Sequence, residues 1–315
     1  MKKEFISIGE AVHASIPKTG AMMKKLAELG SDAYSKKSEP LDYIKGLIES
    51  QAAEGADYIA VNLDAFGEDD PQTAVDMMVE YVKMVRNWGG GVPICVDSSD
   101  DNVLKAGLKE WFNTDEKVAQ PLVNSIKVYT MDNMLPLKKD YDYAFVGLLM
   151  VEGSQSPSVD DFCSVAKQIF NEATNKYGFK AEEIFFDPTI FPLAIDMPML
   201  PGQQSYTYKT FETIKKIKND PEMKGVHFTG GISNCVRDLP ARKIGVCRAY
   251  VAKAMEYGLD GGIVNIAHHY GTSEADPELL KLVEAYADMD GSADKMNEAM
   301  MLMGKFCQDN RKPAG

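Results

Sequence analysis

Cysteine, histidine and long apolar runs are all scarce in this sequence. Its five cysteines (Cys95, Cys163, Cys235, Cys247 and Cys307) are odd in number, scattered, and never form a C-x-x-C pair. Histidine occurs only at positions 13, 227, 268 and 269. No familiar metal-ligand spacing results, so neither a disulfide framework nor a bound metal is expected. The longest apolar run, Tyr143–Val151, has the length of a strand, far short of the roughly 20 residues that cross a bilayer. Phe5–Ile8 is likewise too short for the apolar part of a signal peptide. Positive charge is also in short supply: 34 Lys and Arg stand against 47 Asp and Glu, a net charge of −13. That balance argues against nucleic acid or an anionic membrane as the main partner. The chain reads as a reduced, cytoplasmic enzyme.

The glycine-rich phosphate loops are missing too. No G-x-G-x-x-G or G-x-x-x-x-G-K-[ST] occurs, and Gly89-Gly90-Gly91 precedes a strand rather than following one. What is present is ordinary globular composition, 45% hydrophobic and 26% charged over 315 residues. Short β-branched or aromatic runs recur at Phe5–Ile8, Tyr58–Leu63, Pro93–Val96, Leu122–Ile126, Ala144–Met150, Ile184–Phe186, Gly225–Phe228 and Gly262–Ile266. Between them lie segments of helical period, such as the stripe Ala74, Met78, Val82, Val85 and Trp88 behind Asp70-Pro71. A second helix is expected to enter through Ser156-Pro157, and a third to run from Pro240 to Tyr257 before Gly258. Strand–helix alternation implies a parallel sheet, and eight repeats imply an α/β fold closed as a (β/α)8 TIM barrel. An open doubly wound sheet is the alternative. Residues 1–315 read as one domain with extra helices at 14–51 and 292–315, the latter with a stripe Met296, Met300, Met301 and Met303.

Barrel enzymes carry their chemistry at the C-terminal ends of the strands. Those positions hold Asn62 and Asp64, then Asp97-Ser98-Ser99, Asn124-Ser125, Asp187-Pro188 and Gly230-Gly231-Ile232-Ser233-Asn234. Taken singly, an Asp after a strand can cap the next helix, and an Asn can satisfy loop backbone. Together they bring carboxylates and carboxamides to one mouth, without a poised Lys or a nucleophile–His pair. Such a set is unsuited to a phosphate. It suits a flat ligand rich in N–H donors, such as an amino-pyrimidinone, whose edge meets a carboxylate bidentately.

The string Val96-Asp97-Ser98-Ser99, then Asn124-Ser125, Phe186-Asp187-Pro188-Thr189-Ile190 and Gly231-Ile232-Ser233-Asn234 resembles the pterin-binding methyltransferases. Within them it is most similar to methyltetrahydrofolate:corrinoid-protein methyltransferases, including those of glycine-betaine demethylation systems. The resemblance spans about residues 5–270, with the motifs in order. It implies that Asp97, Asn124 and Asp187 hold the pterin ring, that Asn234 faces N5, and that Gly231 and Ser233 line the same wall. Arg242 stands where the family has an arginine. Arg237 stands where acetogenic members have glutamine. Asn62 and Asp64 resemble a family segment with its two polar residues exchanged. Gly9-Glu10 resembles the Gly-Glu that ends the family's first strand, and His13 replaces an asparagine; neither Glu10 nor His13 is assigned a role.

The resemblance implies methyl transfer between N5 of methyltetrahydrofolate and the cobalt of a corrinoid, in either direction. Tetrahydrofolate is then a substrate, and a separate corrinoid protein is the partner, since no D-x-H-x-x-G motif occurs. A homodimer is implied by the resemblance alone. N5 is a poor leaving group, so a hydrogen bond or proton must reach it as the methyl departs; Asn234 is the donor the resemblance suggests, with the proton assigned to water. Three other readings stand beside this one. A dihydropteroate synthase-like enzyme would need an Asn-x-Thr-x-Asp-Ser-Phe signature, which the residues after strand one lack. A non-catalytic pterin-binding subunit would keep the ring-holding residues without Asn234. An unrelated barrel lyase or aldolase would have no pterin affinity.

Overall fold

In the computed structural model, which describes residues 5–311 apart from 155, 199 and 201, eight parallel strands curl into a nearly closed barrel. They are β1 (Ile6–His13), β2 (Tyr58–Asn62), β3 (Ile94–Asp97), β4 (Leu122–Ile126), β5 (Ala144–Leu148), β6 (Ile184–Asp187), β7 (His227–Phe228) and β8 (Gly261–Val264). Helices α1 (Pro17–Glu28) and α2 (Glu39–Ala53) follow β1; α3 (Pro71–Trp88), α4 (Asp101–Trp111) and the single turn α5 (Met131–Met134) follow β2, β3 and β4. After β5, β6 and β7 come α6 (Val159–Tyr177), α7 (Tyr206–Lys218) and α8 (Lys243–Tyr257); α9 (Pro277–Ala287) and α10 (Ala293–Asp309) follow β8. The strands pair in the order β7-β6-β5-β4-β3-β2-β1-β8. This is the (β/α)8 barrel that the alternating pattern implied, not an open doubly wound sheet. No helix among the described residues is long and apolar enough to cross a membrane.

The caps explain where the helices start. Asp70 accepts from the Gln72 N–H and Pro71 opens α3, whose buried face carries Ala74, Met78, Val82 and Val85 as its spacing predicts. α6 begins two residues later than expected. Ser158, not Ser156, is its cap, and it forms a capping box with Asp161. α8 starts at Lys243 rather than Pro240 and ends on Gly258, whose φ of 113° a side chain rarely adopts. On α10 the methionine stripe is only partly inward: Met303 is buried with Ala299 and Phe306, while Met300 and Met301 face solvent. Residues 312–315 of the expected tail lie outside the described residues.

Strand geometry then decides what faces the barrel axis. Side chains alternate across a strand, so one set packs outward against the helices and the other inward. The inward set forms its own small core of Ile8, Ala60, Cys95, Leu122, Val146 and Phe185. Two residues further along β1, β2, β3, β4 and β6, the same inner wall is built from Glu10, Asn62, Asp97, Asn124 and Asp187. Thus a dry floor lies directly beneath a polar mouth.

Most strand ends shift by one or two residues from their sequence pattern, and β1 and β7 depart from it in ways that shape the mouth. β1 does not stop at Ile8: it continues to His13 through a register shift between Gly9 and Val12. Gln51, buried on α2, makes this possible, because its Oε1 accepts from the Ala11 N–H at 3.0 Å. Gly9 is required there, since a Cβ would lie 2.3 Å from that oxygen. β7 keeps only His227 and Phe228 of the expected Gly225–Phe228. The barrel closes past its end, through a single parallel bridge between Gly231 and Ile263 and the Ile263 N–H donated to Gly230 O at 2.9 Å.

Candidate active site at the barrel mouth

Register places the first three polar residues side by side. Asn62, Asp97 and Asn124 are direct partners across β2, β3 and β4. Asn124 Nδ2 donates to Asp97 Oδ1 at 2.8 Å, and Asn62 also hydrogen-bonds the Asp97 carboxylate. Asp187 ends β6, where its Oδ1 accepts from the Thr189 N–H at 2.8 Å. Thr189 reaches back by adopting a left-handed φ of 65°, and its carbonyl is held by Thr210 Oγ1 at 3.0 Å. Gly230 packs against this turn; a Cβ there would lie 2.9 Å from Ile190 and 3.2 Å from Asp187 Oδ1.

Both carboxyls keep some accessible surface at the mouth, but protein encloses them so closely that ionisation is disfavoured. Burial pushes Asp97 up to about 7, helped by the charges of Asp64 and Asp187 and opposed by Asn62 and Asn124. Burial raises Asp187 to about 6, opposed by the Thr189 N–H. Both carboxyls are therefore harder to ionise than an exposed aspartate. Asp64 serves differently. It accepts from Ser98 Oγ and from the Ser99 N–H and Oγ, the latter two at 2.8 Å, so it braces the loop behind Asp97. Asn62 Oδ1 in turn accepts from the Asp64 N–H at 3.2 Å.

After β7 comes the 3₁₀ turn Ile232–Val236, which follows the barrel seam. Asn234 folds its amide over Gly231, where a Cβ would meet Nδ2 at 2.9 Å; glycine is what lets the side chain lie there. Arg237 Nη2 lies 3.5 Å from Asn234 Oδ1, which leaves the Nδ2 end as the donor available to a ligand. Ser233 Oγ lies 3.5 Å from Oε2 of Glu10 on β1. Among the described residues, no group of three or more His, Cys, Asp or Glu side chains is arranged to hold a metal ion.

Residues 30–265 of this chain match the family model described as "Pterin binding enzyme". The chain belongs to the pterin-binding enzymes. A curated relative, the methylcorrinoid:tetrahydrofolate methyltransferase of Eubacterium limosum, is 27% identical over 265 residues, covering 82% of this chain and 84% of that protein. A solved Yersinia pestis DHPS carrying a pterine-sulfa conjugate superposes with a TM-score of 0.50 at 12% identity, over 96% of this chain and 94% of that one; the likeness is one of fold.

In this pterin-binding enzyme the mouth gathers Asn62, Asp97, Asn124, Asp187, Gly231, Ser233, Asn234 and Arg237, all singled out from sequence. Arg242 is engaged elsewhere. Its guanidinium donates to Asp276 at 2.6 Å and to Glu278 at 3.1 Å, at the start of α9. Glu10 is the residue that sequence reasoning left without a role. The signal was present, since Glu10 follows Ile8 at the strand period, but its use required β1 to continue past Gly9.

Proposed function

We propose that this pterin-binding enzyme transfers a methyl group between N5 of methyltetrahydrofolate and the cobalt of a corrinoid carried by a partner protein. The observation that supports it most is the pairing of two different walls in one mouth. Asp97, Asn124 and Asp187 offer acceptors to a flat ring of N–H donors, while Asn234 presents an amide N–H from the turn after β7. The name of the Eubacterium limosum relative joins the same two substrates. We further propose that the protein works in the cytoplasm as a homodimer, and that neither direction of transfer is excluded by its residues.

In this mechanism the carboxylates bind and orient the ring, and the dry floor of Ile8, Cys95, Leu122 and Phe185 stops it from sinking further into the barrel. Asn234 donates to N5. That nitrogen is weakly basic in the ground state and gains negative charge as its methyl leaves, so the hydrogen bond strengthens chiefly in the transition state. Arg237 contacts the amide oxygen at 3.5 Å, a weak bias toward the donating orientation. The corrinoid supplies the nucleophile in one direction and the methyl group in the other; accordingly no protein nucleophile is required.

The deciding experiment is a binding titration with methyltetrahydrofolate followed by transfer to cob(I)alamin. Tight binding with methylcobalamin formation is expected. Binding without transfer would indicate a non-catalytic pterin-binding protein, and no binding would remove the strand-end site altogether.

A further inference from the structure

One carboxyl in the mouth is not needed to hold the ring. Glu10 points inward from β1, two residues beyond Ile8 of the barrel floor. Asp97, Asp187 and Asp64 each accept an N–H at 2.8 Å. Glu10 instead has the 3.5 Å contact with Ser233 Oγ and a hydrogen bond from the Asn265 backbone. Ser233 and Asn234 are neighbours on one 3₁₀ turn, so Glu10 faces the wall that carries the N5 donor. It also remains partly accessible from the mouth.

We propose that Glu10 exchanges the proton with N5 during methyl transfer, an inference that rests on the methyltransferase reading above. When the methyl goes to cobalt(I), the N5–CH₃ bond breaks and its electron pair stays on N5. Cobalt(I) supplies the pair for the new Co–CH₃ bond, becoming cobalt(III). N5 takes the Glu10 carboxyl proton and Glu10 is left as carboxylate. In the reverse direction N5 attacks the methyl of methylcobalt(III), cobalt(I) leaves with the bonding pair, and Glu10 carboxylate accepts the N5 proton. One side chain then serves both directions, and the proton need not come from bulk water.

The surroundings of Glu10 suit this exchange. The groups facing it are Ser233 on the turn, Asn265 beyond β8, Cys247 on α8 and Tyr270 after β8. On α2 the neighbour of this strand is the neutral Gln51 amide. On β2, Asn62 lies level with His13, with Asp64 beyond it. On β1 itself, burial lowers the His13 pKa despite the charge of Asp64, which disfavours an imidazolium there. No fixed cation among these groups pairs with the carboxylate, and burial raises Glu10 to about 7. A group titrating there is matched to proton transfer at neutral pH.

The test is single-turnover transfer at saturating pterin, in both directions, across pH 5.5–8.5 (a range of about 1.5 units around neutrality). For wild type, the rate from methyltetrahydrofolate to cob(I)alamin is expected to fall as pH rises through about 7. The rate from methylcobalamin to tetrahydrofolate is expected to rise over the same interval. Glu10→Gln should slow both by about 10²-fold and flatten both profiles, while its pterin affinity in a direct titration stays within about twofold of wild type. A Glu10→Gln variant with wild-type rates and pH profiles overturns the assignment and leaves the methyltransferase reading intact. Wild-type protein that binds pterin but transfers no methyl overturns both. If the glutamine variant does not fold, Glu10→Asp is read instead: its pH midpoint should move with affinity preserved, and an unmoved midpoint overturns the proposal.

Discussion

On the β3–β4–β6 side of the barrel mouth, Asp97, Asn124 and Asp187 are held by register and by hydrogen bonds of 2.8 Å. On the β1–β7 side, the side chains of Glu10 and Ser233, and of Asn234 and Arg237, meet at 3.5 Å. Under the proposed function the difference separates two tasks. A wall whose polar groups are already paired with each other has a fixed shape, and it recognises a ligand by substituting a few N–H donors into a preformed array. A wall whose polar groups are loosely engaged keeps its donors and protons available for the moment when charge moves. Under the proposed function the holding wall comes from strand ends and the acting wall from a bulged strand and a short turn.

The contrast is tested hardest by Asn234→Ala. Single-turnover transfer to cob(I)alamin at saturating methyltetrahydrofolate is expected to slow by roughly 10²–10³-fold, the loss typical of one transition-state donor. Affinity should change far less, and an unchanged rate constant would remove Asn234 from the acting wall. Asp97→Ala and Asp187→Ala probe the other side. Each is expected to weaken pterin binding by about 2–4 kcal/mol, because buried N–H donors of the ring lose their acceptor. Isothermal titration checks this, and wild-type affinity in both variants would show that the ring is held elsewhere.

The holding wall should also cost the free enzyme stability above acid pH. Asp97 rises to about 7 in the folded chain from an ordinary value near 3.8. Between those values the folded state binds more protons than the unfolded state, so stability falls as pH rises. Asp97→Asn, which retains an acceptor for the Asn124 amide, is therefore expected to raise the Tm of the ligand-free enzyme at pH 8 and to leave it nearly unchanged at pH 4. An equal shift at both pH values would assign the effect to packing. The smallest effect is expected outside both walls. Arg242→Ala removes exposed ion pairs to Asp276 and Glu278, worth about 0–1 kcal/mol. Chemical denaturation measures that, and a loss of pterin affinity as large as that of Asp97→Ala would bring Arg242 back to the site.

Much of this was legible in the sequence because it depends on local period. Asp97, Asn124 and Asp187 stand two residues beyond Cys95, Leu122 and Phe185, so alternation alone turns them toward the axis. What was not legible depends on distant partners. β1 was expected to end at Ile8, since nothing near Gly9 shows that Gln51, 40 residues from Ala11, completes its hydrogen bonding. The partners of Arg242 are 34 and 36 residues away, at the cap and first turn of α9. The altered acidity of Glu10 arises from burial among folded neighbours, and the hydroxyl it contacts, that of Ser233, is 223 positions along the chain. Chemistry that a strand displays can be read from spacing, whereas chemistry that a pocket creates requires the folded neighbours.

The seam between β7 and β8 carries a mechanical consequence. Seven junctions around the barrel are ladders, but this one is sutured by the Ile263 N–H to Gly230 O and the bridge at Gly231. The barrel can breathe there with little loss of backbone pairing, and the peptide that would swing is the one leading into Ser233 and Asn234. Amide exchange at Ile263 should accordingly be faster than at the centre of β2 or β3. It should slow when a pterin is bound across the mouth, because the ligand then clamps the staves that the suture leaves free.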